Sequence, residues 1–189
     1  MTVKINSMTK KNLLMLIILL IVVIALVVLT LYIRSKSIER EQDEAKKTLF
    51  SEDPAALFLD VGSNPISLRE YEDTILVVNV WASWSPYAAI EFPILDELAG
   101  SFKDKNVRFL VINRKEPQAQ IERYLSTIPS YNNLEKIIDV NDFFYSGISG
   151  YAMPETIIYD TKGKIVKHIH GVVVKTELEE TLNEMVANE

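Results

Sequence analysis

Few side chains in this 189-residue chain are suited to chemistry. There is no cysteine, which excludes disulfides, thiolate metal sites and thiol catalysis. The two histidines, His168 and His170, are two residues apart in "KIVKHIH", a run that reads as a strand. That spacing puts both imidazoles on one strand face. Two ligands do not make a metal site, so a solvated edge strand is the expectation there and no metal or other cofactor is assigned. The other notable stretch is "WASWSPYAAIEFP", Trp81 to Pro93. It holds a hydroxyl at Ser85, a carboxyl at Glu91, and the aromatics Trp84 and Tyr87. An alcohol such as Ser85 becomes a nucleophile only with a base beside it. Asp139 and Asp142 read as surface or capping acids.

The elements that would position these residues can be read from periodicity. "ILVVNV" (75–80) and "VRFLVI" (107–112) are β-branched apolar runs, as in strands buried on both faces. Between them, Ile90, Ile94, Leu95, Leu98 and Phe102 recur at helical spacing over 87–102. "PQAQIERYLSTI" (117–128) opens with proline at a helix start. Residues 129–141 read as loop, with "IIDV" a possible short extended piece. "NDFFYSGISG" predicts one or two helical turns ended by Gly147 or Gly150. "ETIIYD" and "KIVKHIHG" flank Thr161-Lys162-Gly163 and predict a β-hairpin. "KTELEETLNEMVA" predicts a closing amphipathic helix, and "ALFLD" and "ISL" predict short strands before the first buried one. Strand, helix, strand, helix, hairpin, helix describes an α/β sheet covered on both faces, with a right-handed parallel crossover.

Ahead of this lies "NLLMLIILLIVVIALVVLTLYI" (12–33), which carries no charge. About 22 residues at 1.5 Å each give roughly 33 Å, enough for a bilayer core. The run is long for a signal-peptide core and no small-x-small cleavage site follows, so an uncleaved membrane helix is expected. The predicted organisation is a short tail (1–11), a transmembrane helix (12–33), a charged stalk (34–53) and one domain (54–189). Arg40/Glu44 and Asp43/Lys47 are opposite charges at i,i+4, favouring a solvated helical stalk over the alternative of a disordered linker. Ser51-Glu-Asp-Pro54 punctuates the chain before the domain. Lysines and arginines flank the span on both sides, so charge does not fix its orientation. The net charge is −6, and residues 1–33 hold three lysines and no acid, which leaves −9 on the remainder. Such a domain is a poor nucleic-acid binder.

Two motifs carry a resemblance. Trp81-Ala82-Ser83-Trp84, then Ser85-Pro86-Tyr87-Ala88, then Glu91 and Pro93, resembles the W-A-S/T-W-C-P-x-C segment of membrane-anchored thioredoxin-like proteins of the TlpA type, which include cytochrome c maturation reductases. "MPETIIYDTKGKIV" resembles the family's second motif, with Pro154 at its cis-proline. The resemblance covers about residues 55–187. It implies a thioredoxin fold, a central mixed sheet flanked by helices, held outside the cytoplasm by a single-pass anchor.

It also implies where chemistry would be, and there the chain departs. Ser85 and Ala88 stand where the family has its attacking and resolving cysteines. Disulfide exchange is therefore excluded. In the implied fold His168 and His170 lie far along the sheet from Ser85, so a serine nucleophile has no base, and Ser85 is expected to cap the following helix. Glu91, at the family's acidic position, becomes a structural polar residue without a thiol to serve. Trp84 reads equally as a binding-surface aromatic or a packing residue. The expectation is a non-catalytic binding or scaffold module, with a groove between 84–88 and 152–154 for an extended peptide, lined by Trp84, Tyr87, Met153 and Pro154. The alternative is a family member whose catalytic cysteines were lost or replaced.

Overall fold

The computed structural model describes residues 10–53 and 56–188. The proline punctuation at Pro54 and the tail before residue 10 lie outside the described residues. So do the side chains of Glu44 and Lys47, and with them the two stalk ion pairs.

Helix α1 runs Lys10–Leu49. Its Asn12–Arg40 stretch is long and apolar enough to cross a membrane, and none of it is buried by protein. Residues Met1–Glu41 and Gln42–Glu189 separate into two compact units. The expected stalk does not stay solvated to residue 53. Its last turns belong to the second unit, where Leu49 is fully buried. There the Gln42 side chain brackets Ile165, accepting its N–H at 2.7 Å and donating to its C=O at 3.3 Å. A buried leucine and a side-chain amide that imitates a strand outweigh the local charge density.

The second unit is a seven-stranded sheet in the order β2-β1-β5-β4-β3-β6-β7. The strands are β1 Phe58–Asp60, β2 Pro65–Ile66, β3 Ile75–Trp81, β4 Val107–Arg114, β5 Glu135–Asp139, β6 Glu155–Tyr159 and β7 Ile165–His170. β3, β4 and β5 are parallel. β6 and β7 continue antiparallel from β3, and β1 and β2 continue antiparallel from β5. The central strand β3 is buried at every position, as its β-branched run requires. The piece expected as "IIDV" is strand β5, which begins earlier, at Glu135.

Alternation along β3 divides the core. Ile75, Val77 and Trp81 face one side, with α2 (Ala88–Ser101), α3 (Gln118–Leu125) and α5 (Lys175–Ala187). Leu76, Val78 and Val80 face the other, with Leu49, Leu68 and Phe144 of α4 (Phe143–Gly147). Asp139, expected as a capping or surface acid, is buried and caps α4: its carboxylate accepts from Phe143 and Phe144 N–H at 2.9 and 2.8 Å. The hairpin turns where predicted. Gly163 takes φ +73, and Asp160 accepts from the N–H groups of Lys162 and Lys164.

Candidate functional site

The register of β3 against β6 brings the two motifs together. Val80 pairs with Glu155 and Asn79 with Thr156. The turn that leaves β3 and the loop that enters β6 therefore emerge at the same end of the sheet. The Met153–Pro154 peptide in that loop is cis.

In the first segment Trp81 is 1% exposed and packs edge-on to Phe92, ring centroids 5.1 Å apart. Such a pair is worth about 0.5–1.5 kcal/mol beyond its burial. Trp84 points the other way, 63% exposed, and Tyr87 is 44% exposed. Pro86 is exposed, while Ser85 and Ala88 are buried. Ser85 does not cap α2, as had been expected. The N-cap position is Tyr87, in helical geometry and without a side-chain cap, because the turn continues for two residues past Ser85 before α2 begins. Ser85 instead donates its backbone N–H to Ala82 C=O at 3.0 Å.

Glu91 is fully buried on the face that holds α2 and α5. Its two oxygens accept from Val173 N–H at 2.8 Å and from the Asn79 amide at 2.9 Å. One carboxyl thus ties α2 to β3 and to the segment before α5. Burial pushes its pKa up, and the Val173 and Asn79 bonds oppose this only in part.

The second segment is held by a chain of contacts. Arg114 grips Asp142 with two guanidinium nitrogens, at 2.8–3.0 Å, and lies over the Tyr145 ring, 3.9 Å from its centroid. The Tyr145 hydroxyl donates to Ala152 C=O at 2.8 Å. Gly150 lies so close to the Tyr145 ring that a Cβ there would stand 2.3 Å from it. α4 ends at Gly147, and the Gly150 N–H closes it by donating to Tyr145 C=O at 3.0 Å, while close approach to the ring explains why the residue is glycine. Met153 is half-buried, Pro154 is buried, and Tyr151 is 75% exposed at the outer edge of the loop.

Three groups at this end were not expected from the sequence. Glu116 accepts the backbone N–H and the hydroxyl of Ser83 at 2.6 Å each, with further bonds from Asn113 and Gln120. Tyr151 joins Trp84 and Tyr87 as a third exposed aromatic. Glu155, fully buried, receives His168 Nε2 at 2.8 Å and the N–H groups of Tyr151 and Ala152 at 2.7 and 2.6 Å. Burial pushes the Glu155 pKa up, but the Ala152 and Tyr151 N–H groups and then His168 outweigh it, and the net direction is down. The histidines are therefore not simply solvated: their side chains are 22% and 34% exposed and pack against each other and a carboxylate. The signal for Glu155 was in the sequence, since a tight turn at 161–163 pairs residue 155 with the region of 170.

Ser85 and Ala88 are the positions where disulfide chemistry would sit, and neither can perform it. What remains is a rigidly braced end of the sheet carrying exposed aromatics. Comparison with known proteins places this architecture. The chain is 28% identical over 125 residues to the thiol-disulfide oxidoreductase ResA of Halalkalibacterium halodurans, covering 64% of this chain and 68% of that one. It is 24% identical over 143 residues to ResA of Bacillus thuringiensis subsp. konkukian, covering 75% and 81%. Among solved structures it is similar to the pneumococcal exposed lipoprotein thioredoxin of Streptococcus pneumoniae, with TM-score 0.61, 22% identity, and 68% and 97% of the two chains covered. It is also similar to a thiol:disulfide interchange protein from Bacteroides sp., with TM-score 0.59, 22% identity, and 70% and 86% covered. The fold is that of thioredoxin. The Redoxin family model matches residues 51–186, and the chain belongs to the Redoxin family.

Proposed function

We propose that this chain is a membrane-tethered, redox-inactive Redoxin domain that binds an extended polypeptide segment at the end of the sheet where its relatives carry out thiol chemistry. The observation that carries this reading is the exposure of Trp84 and Tyr87 beside the Met153–Pro154 loop in a chain without cysteine. Exposed aromatics are costly to keep in water and are enriched where proteins bind. The backbone of Met153 offers an extended segment a partner for strand-like pairing, with Trp84, Tyr87 and Met153 as apolar contacts. None of this needs a thiol. The relatives named thiol-disulfide oxidoreductases support the alternative, a family member whose catalytic cysteines were lost or replaced. The Asn12–Arg40 stretch supports a single-pass anchor, and the family resemblance, rather than the span, supports a domain outside the cytoplasm.

The test uses the two tryptophans. Trp81 is buried and Trp84 exposed, so titration with a reduced, alkylated unfolded protein should shift the emission of Trp84 to shorter wavelength. Trp84→Phe should abolish the shift, and insulin reduction should be absent throughout. A shift that persists in Trp84→Phe, or no shift at all, contradicts the reading. Protease treatment of intact cells tests the topology: cleavage of the domain is expected, and its full protection contradicts the extracytoplasmic placement.

A further inference from the structure

Glu155, His168 and His170 form a cluster that the peptide groove does not use. They lie on the sheet face opposite Glu91, because Glu155 pairs with His170 and Ile157 with His168 across β6 and β7. One ligand atom from each lies within 4.8 Å of the others. His168 Nε2 is 2.8 Å from Glu155 Oε2, and His170 Nδ1 is 3.6 Å from Glu155 Oε1. A tetrahedral ion with bonds of about 2.0–2.1 Å separates its donors by roughly 3.3 Å. The two observed separations straddle that value but run to different carboxylate oxygens, so the side chains must rotate to bring all three donors onto one ion.

We propose that Glu155, His168 and His170 bind one divalent transition-metal ion of the Zn²⁺ class, a function distinct from the groove reading although Tyr151 borders both sites. The donor chemistry fits: two neutral imidazoles and a carboxylate suit Zn²⁺, whereas Mg²⁺ and Ca²⁺ prefer oxygen donors alone. The carboxylate is already oriented. The Tyr151 and Ala152 N–H groups hold Oε1, the oxygen paired with His170, while Oε2 meets His168 Nε2, so outer-shell hydrogen bonds already orient the carboxylate between the two rings. The His170 ring is fixed by stacking with Tyr151, centroids 4.3 Å apart. A cation would also offset the charge of a carboxylate that has no exposure to water. Binding requires the Nε2 lone pair of His168, so the proton that Nε2 now shares with Glu155 moves to Nδ1 or is released to solvent. Three protein ligands leave a fourth position for water or an outside donor.

The experiment is calorimetric titration of the untagged full chain, in detergent micelles, with Zn²⁺, and absorption spectroscopy with Co²⁺. The expected result is one ion per chain, a tetrahedral Co²⁺ spectrum, and affinity that falls on acidification because metal ligands must be deprotonated. His168→Ala and His170→Ala should each weaken binding at least tenfold, as should Glu155→Gln. His170 is the most exposed of the three, so its variant keeps the test decisive if Glu155→Gln fails to fold. Absence of stoichiometric binding, or unchanged affinity in the double histidine variant, overturns the proposal.

Discussion

Ser83 and Glu116 are joined twice: the backbone N–H and the hydroxyl of Ser83 both donate to the Glu116 carboxylate, each at 2.6 Å. The turn after β3 is thus pinned to the end of β4 by a charged acceptor, with Asn113 and Gln120 bonded to the same carboxylate. Charge-assisted bonds of this kind are the strong ones. Glu116→Ala leaves the Ser83 N–H and the buried Asn113 amide without this acceptor. A loss of about 1–3 kcal/mol of stability is expected. Urea unfolding checks the loss, and amide exchange at Ser83 should rise by orders of magnitude if the pinning is as described. Unchanged exchange would contradict it.

The Glu91 carboxyl gives a pH signature. Its folded pKa lies above its ordinary value of 4.5, because burial outweighs the bonds from Val173 and Asn79. The folded state therefore binds a proton more tightly than the unfolded chain does. The associated stability is complete below pH 4.5 and is lost as pH rises through the folded pKa. Asp139, whose pKa burial also raises, acts in the same direction, so the difference between variant and parent is the informative curve. Glu91→Gln keeps an acceptor for Val173, and Asn79 can turn its amide to offer the Oδ1 that now has no partner. The parent should lose stability relative to Glu91→Gln as pH rises from 4 to 8. Parallel curves would show that Glu91 does not titrate as argued.

The turn should still have redox geometry. Replacing Ser85→Cys and Ala88→Cys together should give a pair that closes under mild oxidant, because α2 begins at Ala88 immediately after the turn. Mass measurement after alkylation reads the outcome. A pair that never closes would mean that the turn has departed from the family's shape, and with it the argument for a retained groove.

How much of this was legible beforehand follows from which forces act locally. β3, β4 and the hairpin show in the sequence because a buried strand must be apolar throughout and a tight turn needs its glycine. β5 reads in the sequence as loop with a shorter extended piece because its first residues, Glu135 and Lys136, are charged and only half-buried. Leu49 is embedded in a charged run, and its burial depends on side chains brought from far along the chain. Ser85 was expected to cap a helix from its type alone, but the first helical turn begins three residues later and is uncapped. Glu116 and Glu155 escaped notice because each acts across more than a dozen residues, on Ser83 and on His168. Only the hairpin register could have revealed the second, and an irregularity between Ile158 and Tyr159 shifts that register.

The central claim is that residues 84–88 and 152–154, with the exposed Tyr151 at their edge, form one binding surface. Chemical-shift mapping of the isotope-labelled full chain in micelles, titrated with a reduced, alkylated unfolded protein, tests it most directly. The account predicts saturable perturbations at Trp84, Tyr87, Tyr151 and Met153, lost in the Trp84→Ala/Tyr87→Ala variant. Perturbations confined to the far end of the sheet, around Lys103 and Lys162, with none at Trp84, Tyr87 or Met153, would contradict it.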